Sequence, residues 1–197
     1  MNKTIRSLLC LTLCGVMLLG LCACGDASNA PEHSSENYHA KDSYTVHKNG
    51  EGDYDFTVTD YAGNTLFSRS HESHEPQFET LTESVLQITL PVNNDPSMRW
   101  AVFCDVRNQK VSNIYDNFLV AKGGYVAQLE YLPEQCYVVV SEIFSSAMMP
   151  HTVVTLEGLV PGEDNRLYEK VELNADGNLE ITYNTKNGVK AVVVEMP

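Results

Sequence analysis

Apolar and polar side chains alternate along much of this chain from residue 54 onward. Residues 54–59 and 179–184 place an apolar side chain at every second position, which is the period of a half-buried β-strand. No stretch of this region shows the 3.6-residue period of an amphipathic helix. The pattern therefore predicts an all-β domain, with further short strands at 85–90, 100–106, 126–131, 137–143 and 152–156.

Turn-forming residues separate these apolar runs. Dipeptides that tolerate a positive φ stand between them, namely Gly63-Asn64, Gly123-Gly124, Asp176-Gly177 and Asn187-Gly188. Closely spaced hairpins leave little room for crossover helices, so neighbouring strands should pair with one another. We therefore expect an antiparallel meander of short strands.

A weak repeat runs through the strand-rich region. Residues 77–113, 117–157 and 167–197 each contain a tight turn, an alternating strand, a loop and a second apolar strand, and residues 44–70 could form a partial first unit. A period of about 40 residues is typical of the blades of a β-propeller. Closely spaced turns also suit a β-sandwich. Two architectures stay open: an incomplete array of propeller-like blades and a β-sandwich.

The first 24 residues have a different pattern. Two basic residues precede an apolar run at 8–21. The run is followed directly by Cys22-Ala23-Cys24. A helix needs about 20 apolar residues to cross a bilayer, so this run is too short to be a stable span. The segment resembles the signal peptide and lipobox of a bacterial lipoprotein. The resemblance implies that residues 1–23 are cleaved off and that a lipid is attached to the sulfur of Cys24.

This resemblance predicts where the protein works. The lipid on Cys24 would anchor it to a cell membrane on the extracytoplasmic side. Residues 24–42 contain almost no large apolar side chain and would form a flexible linker. Residues 43–197 would form a single all-β domain, because a segment of this length is typical of one domain.

Charge narrows the range of partners. The full chain has a net charge of −13, from 13 basic and 26 acidic residues. Residues 1–23 hold two of the basic residues and none of the acidic ones, so the processed chain would carry −15. Such an acidic surface opposes binding to nucleic acid and to anionic lipid headgroups. The predicted partners are the membrane, through the lipid on Cys24, and a protein or a glycan.

Cysteines and histidines give limited evidence for a chemical site. Cys104 and Cys136 are the cysteines outside the first 24 residues, and the sequence leaves open whether they form a disulfide or stay buried as free thiols. The segment His71-Glu72-Ser73-His74-Glu75 carries residue types that bind zinc and is predicted to be a loop. The zinc-protease motif needs histidines four residues apart on a helix, whereas His71 and His74 are three apart. They are candidate ligands, and no cofactor is predicted.

Aromatic residues suggest a binding surface. Exposed Tyr and Trp side chains on a sheet can stack on sugar rings or pack against a peptide, although more often they fill the core. The candidates are Trp100, Tyr115, Tyr125 and Tyr131.

The sequence contains neither a Gly-x-Ser-x-Gly elbow nor a Ser-x-x-Lys motif. Two pairs of carboxylates, Glu130 with Glu134 and Glu142 with Glu157, would serve a glycosidase only if they faced each other at a defined distance. We therefore predict a non-enzymatic, lipid-anchored binding protein at the cell surface. The alternatives are a glycan-directed hydrolase and a metal-capturing lipoprotein that uses His71 and His74.

Overall fold

A computed structural model of the protein describes residues 38–92, 95–132, 135–145, 149–162 and 166–197. All of these belong to one compact unit, His33–Pro197. The predicted signal peptide, Cys24 and most of the predicted linker lie outside the described residues. Within the described ranges, no helix has the length and apolar character needed to cross a membrane.

The described residues form fourteen strands in four antiparallel sheets, none of which closes into a barrel. Sheet 1 consists of β1 (Tyr44–Lys48), β2 (Tyr54–Thr59) and β3 (Thr65–Glu72). Sheet 2 consists of β4 (Gln77–Thr80), β5 (Val85–Val92), β6 (Asp95–Asp105) and β7 (Lys110–Val111). Sheet 3 consists of β8 (Phe118–Lys122), β9 (Tyr125–Leu132), β10 (Gln135–Glu142) and β11 (Thr152–Thr155). Sheet 4 consists of β12 (Lys170–Leu173), β13 (Leu179–Thr185) and β14 (Gly188–Val194).

Within each sheet, strands pair in the order in which they follow one another along the chain. The three predicted repeats contain sheets 2, 3 and 4, and the partial first unit contains most of sheet 1. The prediction of an all-β antiparallel meander is therefore confirmed. Local pairing of this kind needs only short connections, which is why turn residues were informative in the sequence.

The four sheets pack against one another in chain order. One cluster of buried side chains joins sheets 1 and 2, a second joins sheets 2 and 3, and a third joins sheets 3 and 4. Among the described residues, no core cluster joins sheet 4 back to sheet 1. Both architectures that the sequence left open, an incomplete array of propeller-like blades and a β-sandwich, pack sheets face to face in this way, and none of the four sheets closes into a barrel.

Sheets 2 and 3 are inner layers with both faces covered. In β5, Leu86 and Ile88 belong to the cluster shared with sheet 1, whereas Val85 belongs to the cluster shared with sheet 3. The face towards sheet 3 also holds Gln87 and Thr89, which are polar but buried, so β5 keeps an alternating pattern although both of its faces are covered. Tyr38 and Ala40 also pack in the first cluster, so the packed body includes the last residues of the predicted linker.

Three hairpins share one five-residue turn, which we call the Asx–Gly turn. It begins at Asn49, Asp60 or Asn174, and its fourth residue is a glycine with positive φ, at 97°, 81° and 76° respectively. In each case the first side chain accepts hydrogen bonds from the backbone N–H groups two and four residues later. The left-handed conformation at the fourth position favours glycine because glycine has no Cβ.

Candidate functional site

A cleft of about 490 Å³ opens where the core between sheets 3 and 4 reaches solvent. The hairpin of β9 and β10 forms one wall, with Tyr131, Leu132 and Cys136. The segment 155–159, which leads from sheet 3 towards sheet 4, and Leu167 form the other wall. A bridge between Leu159 and Thr185 of β13 ties this second wall to sheet 4.

One backbone hydrogen bond joins the two walls, and a second closes a turn within the wall formed by residues 155–159. The N–H of Leu156 donates to the carbonyl of Cys136 at 2.8 Å, and the N–H of Leu159 donates to the carbonyl of Leu156 at 3.3 Å. Gly158, with φ of 69°, turns the chain between them. The cleft is therefore built on sheet edges that are anchored in the core, which favours a preformed shape.

The cleft has a buried apolar floor and an exposed apolar rim. Leu156 and Cys136 are buried, whereas Tyr131 and Leu132 are 42% and 60% exposed. Among the described residues that line the cleft, Glu157 alone carries a charge. An exposed apolar rim over an apolar floor is the arrangement expected of a binding site rather than of an ordinary surface loop.

The thiol of Cys136 and the hydroxyl of Tyr131 both have a raised pKa, which favours their neutral forms at physiological pH. Burial raises the pKa of the Cys136 thiol to about 11. Burial also raises the pKa of the Tyr131 hydroxyl well above its usual range, and repulsion from Cys136 and Tyr168 adds to the shift. Because the thiolate is the nucleophilic form of cysteine, this raised pKa disfavours Cys136 as a nucleophile at neutral pH.

The two cysteines of the domain do not form a disulfide with each other. Cys104 lies in the core between sheets 1 and 2, whereas Cys136 lies in the core between sheets 3 and 4, and both are free thiols. Burial raises the pKa of Cys104 to about 12. Of the two possibilities that the sequence left open, the structure shows buried free thiols.

The four aromatic candidates occupy different environments, and Tyr131 lies in the cleft. Tyr115 is buried in the core between sheets 2 and 3, where its hydroxyl donates to the carbonyl of Ile143 at 2.6 Å. Tyr125 is half-buried, and its ring centroid lies 5.4 Å from that of His151 in an edge-to-face arrangement. Trp100 is half-buried beneath the guanidinium of Arg69, which lies 5.5 Å from the ring centroid.

The two candidate metal ligands, His71 and His74, do not lie in the same group of side chains. The predicted loop at 71–75 is wrong in its first part, because His71 and Glu72 still belong to β3. His71 lies beside two carboxylates of the β1–β2 turn, Glu51 and Asp53, and one donor atom of each of the three side chains lies within 4.8 Å of the others. His74 is outside this group, with its Nδ1 atom 2.9 Å from the hydroxyl of Ser73.

The carboxylate pair Glu142 and Glu157 does not form a glycosidase site. Tyr137 of β10 pairs with Thr155 of β11, so Glu157 lies level with the start of β10, whereas Glu142 is its last residue. At about 3.3 Å per residue the two carboxylates are roughly 20 Å apart along the strand, which far exceeds the 5–10 Å of a catalytic pair. The partner in the other pair, Glu134, lies outside the described residues.

In comparisons with known proteins, no family model matches the chain, and no curated protein or solved structure matches it either.

Sequence reasoning missed the leucines that line the cleft and the two carboxylates beside His71. Leu132 follows Tyr131 in an apolar strand and is exposed because it lies at the hairpin end, which the alternating pattern does not reveal. Glu51 and Asp53 were visible as the acidic positions of Asn49-Gly50-Glu51-Gly52-Asp53. Only the pairing of β2 with β3 shows that this turn lies next to His71.

Proposed function

We propose that this protein is a lipid-anchored, extracytoplasmic binding protein without enzymatic activity, whose cleft holds an extended peptide segment of a partner protein. The observation that supports the cleft as the binding site is the pair of exposed apolar side chains, Tyr131 and Leu132, above its buried floor. Covering apolar surface contributes about 25 cal/mol per Å² removed from water. These two side chains would therefore anchor a ligand.

The chemistry of the lining favours a peptide over a sugar. Four leucines and one tyrosine supply the apolar part of the lining, and Gln135, Thr155 and Glu157 contribute to a polar part that is at least as large and could hydrogen-bond a peptide backbone. A sugar presents a dense array of hydroxyl groups, each of which would lose its hydrogen bonds to water against leucine. An apolar side chain of a peptide suits the same surface, and a neighbouring Lys or Arg would complement the negative charge of Glu157.

The anchor places this cleft at a membrane surface. The sequence before the described residues carries the lipobox-like segment that ends in Cys24, followed by a polar stretch. A polar segment of this length would let the domain reach partners close to the membrane. The acidic charge of the chain would keep the domain itself from adhering to anionic lipid.

Selection from a phage-displayed library of random peptides tests the cleft. The wild-type protein would be the target of the selection, and the affinity of the enriched peptides would then be measured for the wild type and for the Leu132→Ser variant. We expect the enriched peptides to share an apolar residue next to Lys or Arg, and we expect Leu132→Ser to weaken their binding about tenfold or more. Val153→Ser is the matched control, because Val153 is an exposed valine of β11 in the same sheet that does not line the cleft.

Two outcomes would contradict the proposal. The first is a set of enriched peptides that bind wild type and Leu132→Ser with equal affinity. The second is the absence of enriched peptides together with binding to a glycan array that Leu132→Ser abolishes, which would make a glycan the ligand of the cleft.

A further inference from the structure

Three metal-ligating side chains converge at one end of sheet 1, whereas the cleft belongs to sheets 3 and 4. Glu51 and Asp53 lie in the turn between β1 and β2, and His71 lies near the end of β3. The pairing of Tyr54 with Glu72 brings the two segments side by side. One donor atom from each side chain lies within 4.8 Å of the other two. We call this group the histidine–carboxylate cluster.

The β1–β2 turn fixes the backbone that carries the two carboxylates. The Oδ1 atom of Asn49 accepts hydrogen bonds from the N–H groups of Glu51 at 3.0 Å and Asp53 at 3.1 Å. The N–H of Asn49 donates to the carbonyl of Asp53 at 2.7 Å. These bonds use the side chain of Asn49 and the backbone, so the carboxylates of Glu51 and Asp53 are not used in holding the turn.

A β-bulge redirects His71 towards this turn. The pairing of β2 with β3 shifts between Tyr54 and Phe56, so that Ser70 and His71 stand opposite the single residue Asp55. His71 has a φ of 60°, and its N–H donates to Oδ1 of Asp55 at 2.8 Å. A bulge changes the direction of the side chains around it, and a left-handed conformation is uncommon for a residue with a Cβ.

The donor set indicates which metals would suit the cluster. Imidazole nitrogen together with carboxylate oxygens is a usual ligand set for zinc and related divalent transition metals, whereas calcium and magnesium take oxygen ligands. A tetrahedral zinc ion with bonds of about 2.1 Å holds its ligand atoms about 3.4 Å apart. Glu51 and His71 are exposed, so rotation of their side chains can close the remaining distance.

We propose that Glu51, Asp53 and His71 form a three-ligand site for a divalent transition metal such as Zn²⁺. Water completes the coordination, because the cluster offers three donors and zinc takes four. His74 takes no part. The site is independent of the proposed peptide-binding cleft, and neither proposal depends on the other.

Calorimetric titration of Zn²⁺ into the full-length protein, after removal of metal with a chelator, tests this site. The key variant is His71→Asn, because asparagine tolerates the left-handed conformation at this position. We expect it to lower the Zn²⁺ affinity at least tenfold, and we expect Asp53→Asn to do the same while keeping the backbone bonds of the turn. His74→Ala is the matched control and should bind Zn²⁺ as the wild type does.

Three further measurements distinguish loss of the metal site from loss of the fold and identify the ligands of the metal. Thermal unfolding of each variant would show that the domain remains folded, and X-ray absorption of the bound zinc should show one nitrogen ligand among oxygens. Ca²⁺ at the same concentration should not displace Zn²⁺. The proposal is overturned if His71→Asn binds Zn²⁺ as tightly as the wild type, if His74→Ala loses the binding, or if Ca²⁺ competes equally.

Discussion

At the scale of single residues, Asp60 shows how this protein holds a buried charge. The residue as a whole is 2% exposed. Oδ1 accepts hydrogen bonds from the N–H groups of Ala62 at 2.9 Å and Asn64 at 2.8 Å, and Oδ2 accepts one from the Asn64 amide at 3.0 Å. Burial opposes the charged form, but the hydrogen bonds from the Asn64 side chain and the backbone outweigh it and lower the pKa of Asp60.

Replacing Asp60 should destabilise the protein. Asp60→Ala leaves buried donors of the turn without an acceptor, and we expect the free energy of unfolding at neutral pH to fall by about 2 kcal/mol. Asp60→Asn should cost less, because an amide oxygen can still accept. Urea unfolding followed by circular dichroism measures both. The exposed Asp116→Asn is the control, with a change within about 0.5 kcal/mol.

The same carboxylate makes part of the stability depend on pH. Because the pKa of Asp60 is lowered in the folded state from its ordinary value of 3.8, the unfolded chain takes up this proton at a higher pH than the folded one does. The contribution is therefore complete above this value and is lost as pH falls below it. Asp60→Asn should reduce the acid sensitivity, and an unchanged pH profile would contradict this assignment.

The Asx–Gly turns were predicted only in part from the sequence. Gly63 and Gly177 were predicted to lie in turns, and both have a positive φ. Their turns are five residues long instead of two, because the side chains of Asp60 and Asn174 provide an acceptor for the backbone N–H groups. A dipeptide pattern cannot show this, whereas the spacing of Asx, Gly and Asx could have.

At the scale of elements, β14 illustrates the two faces of an outer sheet. Val194 is fully buried and belongs to the core between sheets 3 and 4, whereas its neighbour Val193 is 55% exposed. The two residues pair with Leu179 and Glu180 of β13, which lie on opposite faces of the sheet. Substituting Val193 and Val194 therefore compares an exposed with a buried valine in the same strand.

Truncating these two valines should have unequal effects. Val194→Ala removes two buried methyl groups, and we expect it to lower the free energy of unfolding by about 2 kcal/mol. Val193→Ala should change it by less than about 0.5 kcal/mol, since the side chain gains little from folding. Chemical unfolding curves measured side by side would decide. Similar losses for both variants would mean that the outer face of sheet 4 is covered.

Sequence patterns predicted the positions of the strands better than they predicted which sheets pack against each strand. The run at 85–90 was predicted to be a strand and is one, but its periodicity could not show that sheet 1 covers one face and sheet 3 the other. For the cleft and the histidine–carboxylate cluster, the sequence predicted one residue each, Tyr131 and His71. It could not predict Leu132 or the neighbours of His71, because hairpin ends and a β-bulge decide those positions and depend on packing between distant residues.

At the scale of the whole molecule, the proposed anchor can be tested by one substitution and a close control. We expect the wild-type protein to incorporate radiolabelled palmitate in a bacterial host and to enter the detergent phase on phase separation. Cys24→Ser should abolish both, because the sulfur that carries the lipid is gone. Cys22→Ser should change neither. Label that survives in Cys24→Ser but is lost in Cys22→Ser would move the attachment to Cys22.

The packing of the sheets in chain order affects how the protein is made. Each sheet closes through contacts within one short segment, and each completed sheet then provides the apolar face on which the following one assembles. A chain that emerges from the ribosome or from an export channel with its N-terminus first could therefore fold vectorially. No sheet needs to wait for a strand from the far end of the polypeptide, so interrupted synthesis would leave shorter stacks built in the same way.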